Sequence, residues 1–182
     1  MKQTVIDVLK NSHTQKIRFT YVGTTGWVLR ILPNDFITIA LAIDNNKIDV
    51  QKGGAAAGKA RYSIKNNGNS KANTFYLGRN NTSQTVYDSL LVHESVHAIF
   101  DLKGLTMPWL DNEVIAYIAQ GFYIMSAGED AGLSKEALLG LEIAKIFPNI
   151  KKDPFFLDEL KGSLLTNPMY HDYIRGTFVG DG

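Results

Sequence analysis

Between Ser83 and Lys103 the chain carries a helix-length segment with almost no face for water: Leu90, Leu91, Val92, Val96, Ala98, Ile99, Phe100 and Leu102 are spread all round its axis. A helix that is apolar on every side must be packed on several sides, so the fold has to be built around this segment. The same segment contains His93, Glu94 and His97. Polar side chains in a buried helix need strong partners, because an unpaired one gives up its hydration without compensation. The most constrained stretch of the sequence is therefore also the place to look for chemistry.

His93-Glu94-Ser95-Val96-His97 is an HExxH pattern. Two imidazoles four residues apart lie one above the other on a helix face, within reach of one ion, and Glu94 is offset beside them. Catalytic zinc takes a third protein ligand and keeps one position for water, whose pKa it lowers towards neutrality. The chain has no cysteine, so His, Asp and Glu are the only strong ligands on offer. Lys103-Gly104 supplies a helix stop and Pro108 suits the first turn of a new helix, so a second helix folds back beside the first. That helix carries Glu113 near its start, in Asp111-Asn112-Glu113-Val114-Ile115-Ala116-Tyr117, and the small Ala116 permits a close approach. Glu113 is the leading third donor. A first-turn carboxylate that only complements the helix dipole is its ordinary alternative role, in which case Asp111 or Glu129 competes for the third place. The ordinary alternative for His93 and His97 is a pair of hydrogen-bonded core histidines.

With 182 residues, 45% of them hydrophobic, the chain is the right size for one domain spanning residues 1–182. Its 19 Lys and Arg nearly balance 18 Asp and Glu, so no bulk field holds nucleic acid or an anionic membrane, and neither is expected as a partner. No pattern selects an oligomeric state. Lys2, Asp7 and Lys10 interrupt the N-terminal apolar stretch, against a secretory signal. The apolar run Ile37–Ile43 stops at Asp44, far short of the roughly 18 residues that span a bilayer. A cytoplasmic location is the default expectation, and export by a route without such a signal stays compatible with it.

Periodicity predicts a helix over 4–9, a strand over 17–22, a strand or short helix over 27–32 and a β-branched strand over 36–43. Asp44-Asn45-Asn46 then reads as a turn, with 47–51 returning as its hairpin partner. A second hairpin pairs 61–65 with 74–77 around Asn66-Asn67-Gly68-Asn69. Helices follow over 83–103, 108–127, 134–147 and 154–165. The expected class is α+β, with an N-terminal, mostly antiparallel sheet followed by a helical half that carries the HExxH helix. Gly53 to Lys59 has phosphate-loop spacing, but Ala60 replaces the metal-holding hydroxyl and a strand follows, so it reads as a loop. Asn81-Thr82-Ser83 reads as a helix cap.

Over roughly residues 74 to 120 the chain resembles the zincin metallopeptidases, in particular the gluzincin branch. His93-Glu94-Ser95-Val96-His97-Ala98-Ile99-Phe100-Asp101 is similar to the HExxHAxxD form of thermolysin-like enzymes, and Asn112-Glu113-Val114-Ile115-Ala116 to their NExxA form. The resemblance implies a zincin-like form of this α+β class, Zn2+ held by His93, His97 and Glu113, and Glu94 as general base. It also implies a peptide or protein substrate lying along an edge strand, here Thr74–Leu77. The chain departs from that family in two places. The interval from His97 to Glu113 is shorter, closer to small bacterial cytosolic metallopeptidases. Tyr117 stands where an aspartate is expected, which passes the task of orienting a ligand histidine to Asp101, Asp88 or a backbone carbonyl. His171, Tyr170 and Tyr173 are candidates to stabilise the transition state, while Tyr117 either packs beside Glu113 or donates to substrate. The expected function is a zinc-dependent peptidase. The alternatives are a catalytically inactive zincin-fold module that keeps metal while recognising a protein, and a metal-free interaction domain.

Overall fold

In the computed structural model, which describes residues 1–129, 131–147 and 154–182, the chain opens with helix α1 (Lys2–Lys10). Val5, Ile6, Val8 and Leu9 form its buried face. After a 3-10 turn at Thr14–Lys16 comes an antiparallel hairpin of β1 (Phe19–Val22) and β2 (Val28–Ile31), with Phe19 opposite Ile31. Both elements lie where the sequence pattern puts them.

The next element is a correction. Residues 36–43, expected as a strand, belong to helix α2 (Pro33–Asp44). Its start signals outweigh its β-branched composition: Pro33 occupies the first turn, and the Asp35 carboxylate accepts the Leu32 backbone N–H at 2.8 Å. Phe36, Ile39, Ala40 and Ile43 then fall on one buried face at helical spacing. Packing of that face outweighs the few tenths of a kcal/mol per residue by which Ile and Thr disfavour helix. Asn46, with φ +57°, takes the left-handed backbone that Asn tolerates just past the end of the helix.

Strands β3 (Asp49–Lys52), β4 (Ala60–Ser63) and β5 (Thr74–Leu77) form a sheet in the order β3-β5-β4. The hairpin expected around 44–51 is absent, because β3 instead runs parallel to β5, with Asp49 opposite Thr74. The second hairpin is present, with β4 antiparallel to β5 and Tyr62 opposite Phe75. Thr74–Leu77, expected as an edge strand, is therefore the central strand and is buried along its whole length. The edges belong to β3 and β4.

Helix α3 (Gln84–Leu102) starts at Ser83, whose hydroxyl accepts the Val86 N–H. It ends before Gly104, where φ of +60° turns the chain back. Strand β6 (Thr106–Pro108) leads into α4 (Trp109–Ala127), followed by α5 (Lys135–Ile146), α6 (Phe155–Thr166) and β7 (Thr177–Val179), which pairs antiparallel with β6. The class is mixed α+β with roughly half the residues in helix and small separate sheets, rather than an N-terminal antiparallel sheet covered by helices. No helix among the described residues is long and apolar enough to cross a membrane.

Helices α3 and α4 share the core with Val96, Ala98, Ile99, Val114, Ile115 and Ala116 fully or almost fully buried. On its far side α4 meets α5 backbone to backbone. A Cβ at Gly121 would sit 2.1 Å from the Gly140 carbonyl oxygen, and one at Gly140 would sit 2.2 Å from that of Tyr117. Only glycine fits at either position. This contact holds α4 from behind, directly at Tyr117.

Candidate metal centre

Helical spacing aims three donors at one point. His93 and His97 stand one turn apart on α3, and Glu113 comes from the first turns of α4 as it folds back. One donor atom from each lies within 4.8 Å of the other two, and all three side chains are buried. His93 Nε2 is 3.3 Å from Glu113 Oε2, and His97 Nε2 is 3.8 Å from Glu113 Oε1. Glu113 Oε2 is inaccessible to water and accepts no well-aligned hydrogen bond. A buried carboxylate oxygen without a donor, facing two imidazole nitrogens, is a donor set short of its acceptor, and a divalent cation satisfies all three at once.

The outer ring nitrogen of one histidine has a partner. Asn112 Oδ1 hydrogen-bonds His97 Nδ1. An amide oxygen only accepts, so the proton sits on Nδ1 and Nε2 is left bare as a ligand atom. Gln120 lies beside His93. Its Oε1 and the His93 Nδ1 are both buried and neither makes a hydrogen bond, while its Nε2 is anchored on Ser89 Oγ at 3.0 Å. Tyr117 packs edge-on against the His93 ring at 4.5 Å, and Trp109 approaches His97 at 6.1 Å.

Charge coupling matches this picture. Burial alone would lower the His93 pKa, yet the Glu113 carboxylate beside it, with the charge of Glu94, holds it above the ordinary value. Burial would raise Glu113, but the nearby His97 and His93 keep it lowered. Burial does raise Glu94, against the opposing pull of His97, His93 and the Tyr62 N–H. A carboxylate lifted towards neutrality is suited to accepting and returning a proton.

The centre forms the floor of a cleft of about 640 Å³. Glu94 opens on it, with Oε2 accepting the Tyr62 backbone N–H at 2.7 Å. One wall is β4 with the preceding loop at Gly54–Ala56, and the other is Met169, Tyr170 and Tyr173. Tyr173 OH donates to Glu113 Oε1 at 3.1 Å. Tyr170 OH and Tyr117 OH hydrogen-bond each other, and burial raises the pKa of all three phenols, which keeps them protonated as donors.

The structure thus brings together His93, Glu94, His97, Glu113, Tyr117, Tyr170 and Tyr173. It leaves His171 out: that side chain is exposed, 3.9 Å from the exposed Asp172. Asp101 does not orient a histidine either. It accepts Tyr62 OH at 2.7 Å and the Asp181 N–H at 3.2 Å, so it fixes the strand that meets Glu94. Asp88 bonds Gln84 and Tyr123. The rival third donors are engaged elsewhere, Asp111 by Tyr21 and Thr24, and Glu129 near Ser83 and Thr85 at the far end of α3.

Sequence reading missed Gln120 and Tyr62, and it quoted Asn112 without giving it a role. Gln120 had a signal, a lone amide among Ile118, Ala119, Tyr123 and Ile124, seven residues after Glu113 and so on its face. Compared with known protein families, with curated proteins and with solved structures, the chain matches none.

Proposed function

We propose that this chain is a zinc-dependent peptidase of the gluzincin type, with His93, His97 and Glu113 as ligands and Glu94 as general base. One observation carries the reading: three converging buried donors and a carboxylate of raised pKa open on one cleft walled by a free strand edge. Zinc held by His93, His97 and Glu113 would supply Lewis acidity to a peptide carbonyl and would make the attacking water more acidic. The protein's own groups do the rest. Glu94 accepts a proton at its carboxylate and returns it to the leaving amine. The edge of β4 orients an extended peptide through its backbone. Tyr170, lining the cleft opposite, is the candidate donor to a developing oxyanion, with Tyr117 acting through it, while Tyr173 commits its hydroxyl proton to Glu113 Oε1.

The test is digestion of an unfolded protein by zinc-loaded material. Fragments are expected that disappear on chelation and return with added zinc. Glu94→Gln is expected to retain zinc by elemental analysis and to lose about 10² to 10⁴ in rate. Undiminished cleavage by that variant, or no cleavage by the zinc-loaded wild type, sinks the proposal.

A further inference from the structure

The free edge of β4 carries charge of one sign. Lys59, Arg61 and Lys65 line the cleft, and the carboxylates that line it, Glu94 and Glu113, both lie in the floor. Since basic and acidic residues nearly balance over the whole chain, this is a local arrangement rather than a bulk property.

Ladder parity defines what the edge offers. Lys59 O accepts the Gly78 N–H at 2.9 Å, and Arg61 and Ser63 stand opposite Tyr76 and Thr74, so the odd positions direct their backbone to β5. Ala60, Tyr62 and Ile64 face the other way. The Tyr62 N–H bond to Glu94 is direct evidence of that direction. Side chains at odd positions share one face, which places Lys59 and Arg61 together. Arg61 is held in place, with Nη2 donating to Ser70 Oγ at 2.8 Å and the guanidinium 4.9 Å over the Tyr76 ring. The ammonium groups of Lys59 and Lys65 have no hydrogen-bond or ion-pair partner among the described residues.

We propose that this cleft selects extended peptide segments with acidic side chains at alternate positions, paired beside β4 opposite Lys59 and Arg61, with Lys65 extending the preference past the end of the strand. The inference rests on reading the cleft as a peptide site. A strand laid on the edge bonds to the outward backbone groups of β4 other than the Tyr62 N–H, which Glu94 holds, and brings every second side chain to about 5 Å from its neighbour on β4. Opposite charges in such pairs are worth about two- to fivefold each in affinity. A peptide backbone matches alternating donors and acceptors at strand spacing, and a sugar-phosphate backbone does not.

The test uses full-length, zinc-loaded Glu94→Gln protein and short fluorescent peptides of one scaffold with Glu, Gln or Lys at alternate positions. Anisotropy should rank them Glu, Gln, Lys, with roughly tenfold between the extremes at low salt and less at high salt. Lys59→Glu with Arg61→Glu should reverse the order while zinc content matches the parent and the melting temperature falls only slightly from the lost Arg61 contacts with Ser70 and Tyr76. If that pair fails to fold, Lys59→Gln alone should narrow the Glu-to-Lys ratio. Equal affinity for the three peptides, no binding of any, or equally tight binding of a single-stranded oligonucleotide overturns the inference. Binding is read without turnover, so a Glu preference in this variant combined with no cleavage by wild type upholds the inference and sinks only the peptidase reading.

Discussion

The floor and the wall of the cleft are built in different ways. The floor takes His93 and His97 from α3 and Glu113, Asn112 and Gln120 from α4, two helices adjacent in the chain and joined at Gly104. Each of its residues is placed by helical spacing and a single fold-back. The wall is assembled from distant segments: Tyr62 N–H reaches Glu94, Tyr62 OH reaches Asp101, and Asp101 also accepts the Asp181 N–H. On the proposed reading the floor sets whether a metal is held, and the wall sets how Glu94 and a substrate are presented to it. Mutations should therefore separate metal affinity from turnover.

The largest expected effect lies in the floor. If the three donors are zinc ligands as proposed, they share a binding free energy on the order of 10 kcal/mol, so His97→Ala should lose about 3 kcal/mol, roughly two decades of affinity. Competition against a chelating dye measures it. Zinc bound as tightly by His97→Ala as by the parent would mean that the floor is not the metal site, and the contrast with the wall would collapse.

The same contrast explains what the sequence revealed. A period of 3.6 residues puts His93 over His97 whatever the rest of the chain does, and Lys103-Gly104 with Pro108 marks the fold-back that delivers Glu113. No local pattern states that β3 pairs parallel with β5, so Thr74–Leu77 reads as an edge strand when it is central and the edges are Asp49–Lys52 and Ala60–Ser63. Composition misled at α2, where Ile37-Thr38-Ile39 has strand character but Phe36, Ile39, Ala40 and Ile43 share a helical buried face. His171 is next to Tyr170 in sequence yet exposed, because neighbours in a short 3-10 turn point in different directions.

Gln120→Ala comes next. It removes the amide beside His93 without touching a ligand, and partners of this kind are worth about 10- to 100-fold in metal affinity. The same competition assay checks it, and an unchanged affinity would show that His93 is oriented by packing against Tyr117 alone.

Acidity gives a smaller and graded effect. In the metal-free protein the Glu113 carboxylate, kept ionised by its lowered pKa, overcomes the burial of His93 and holds that imidazole protonated above its ordinary value of 6.5. Zinc must displace this proton. Affinity should be flat above the raised pKa and fall about tenfold per pH unit below it, the sign expected when binding releases a proton. Titration calorimetry in two buffers of different ionisation enthalpy reads the released proton directly. An affinity that rises on acidification would contradict the pairing of His93 with Glu113.

The smallest effect belongs to the wall, and it sharpens the contrast most. Tyr62→Phe keeps the backbone N–H on Glu94 but deletes the hydroxyl that donates to Asp101 at 2.7 Å. Asp101 is almost fully buried and would retain only the longer bond from the Asp181 N–H. Stability should fall by about 1–2 kcal/mol in denaturant unfolding, the range for a lost buried hydrogen bond to a charged acceptor. Zinc affinity should stay within about twofold of the parent, since no ligand or ligand partner moves. Peptide turnover should drop several-fold through looser placement of β4 against Glu94, an effect on kcat more than on metal content. Asp101→Asn keeps an oxygen for the Tyr62 hydroxyl and should lose less turnover than Tyr62→Phe. If Tyr62→Phe instead released zinc as readily as Gln120→Ala, floor and wall would be one cooperative unit, and metal binding would depend on the strand that long-range pairing puts in place.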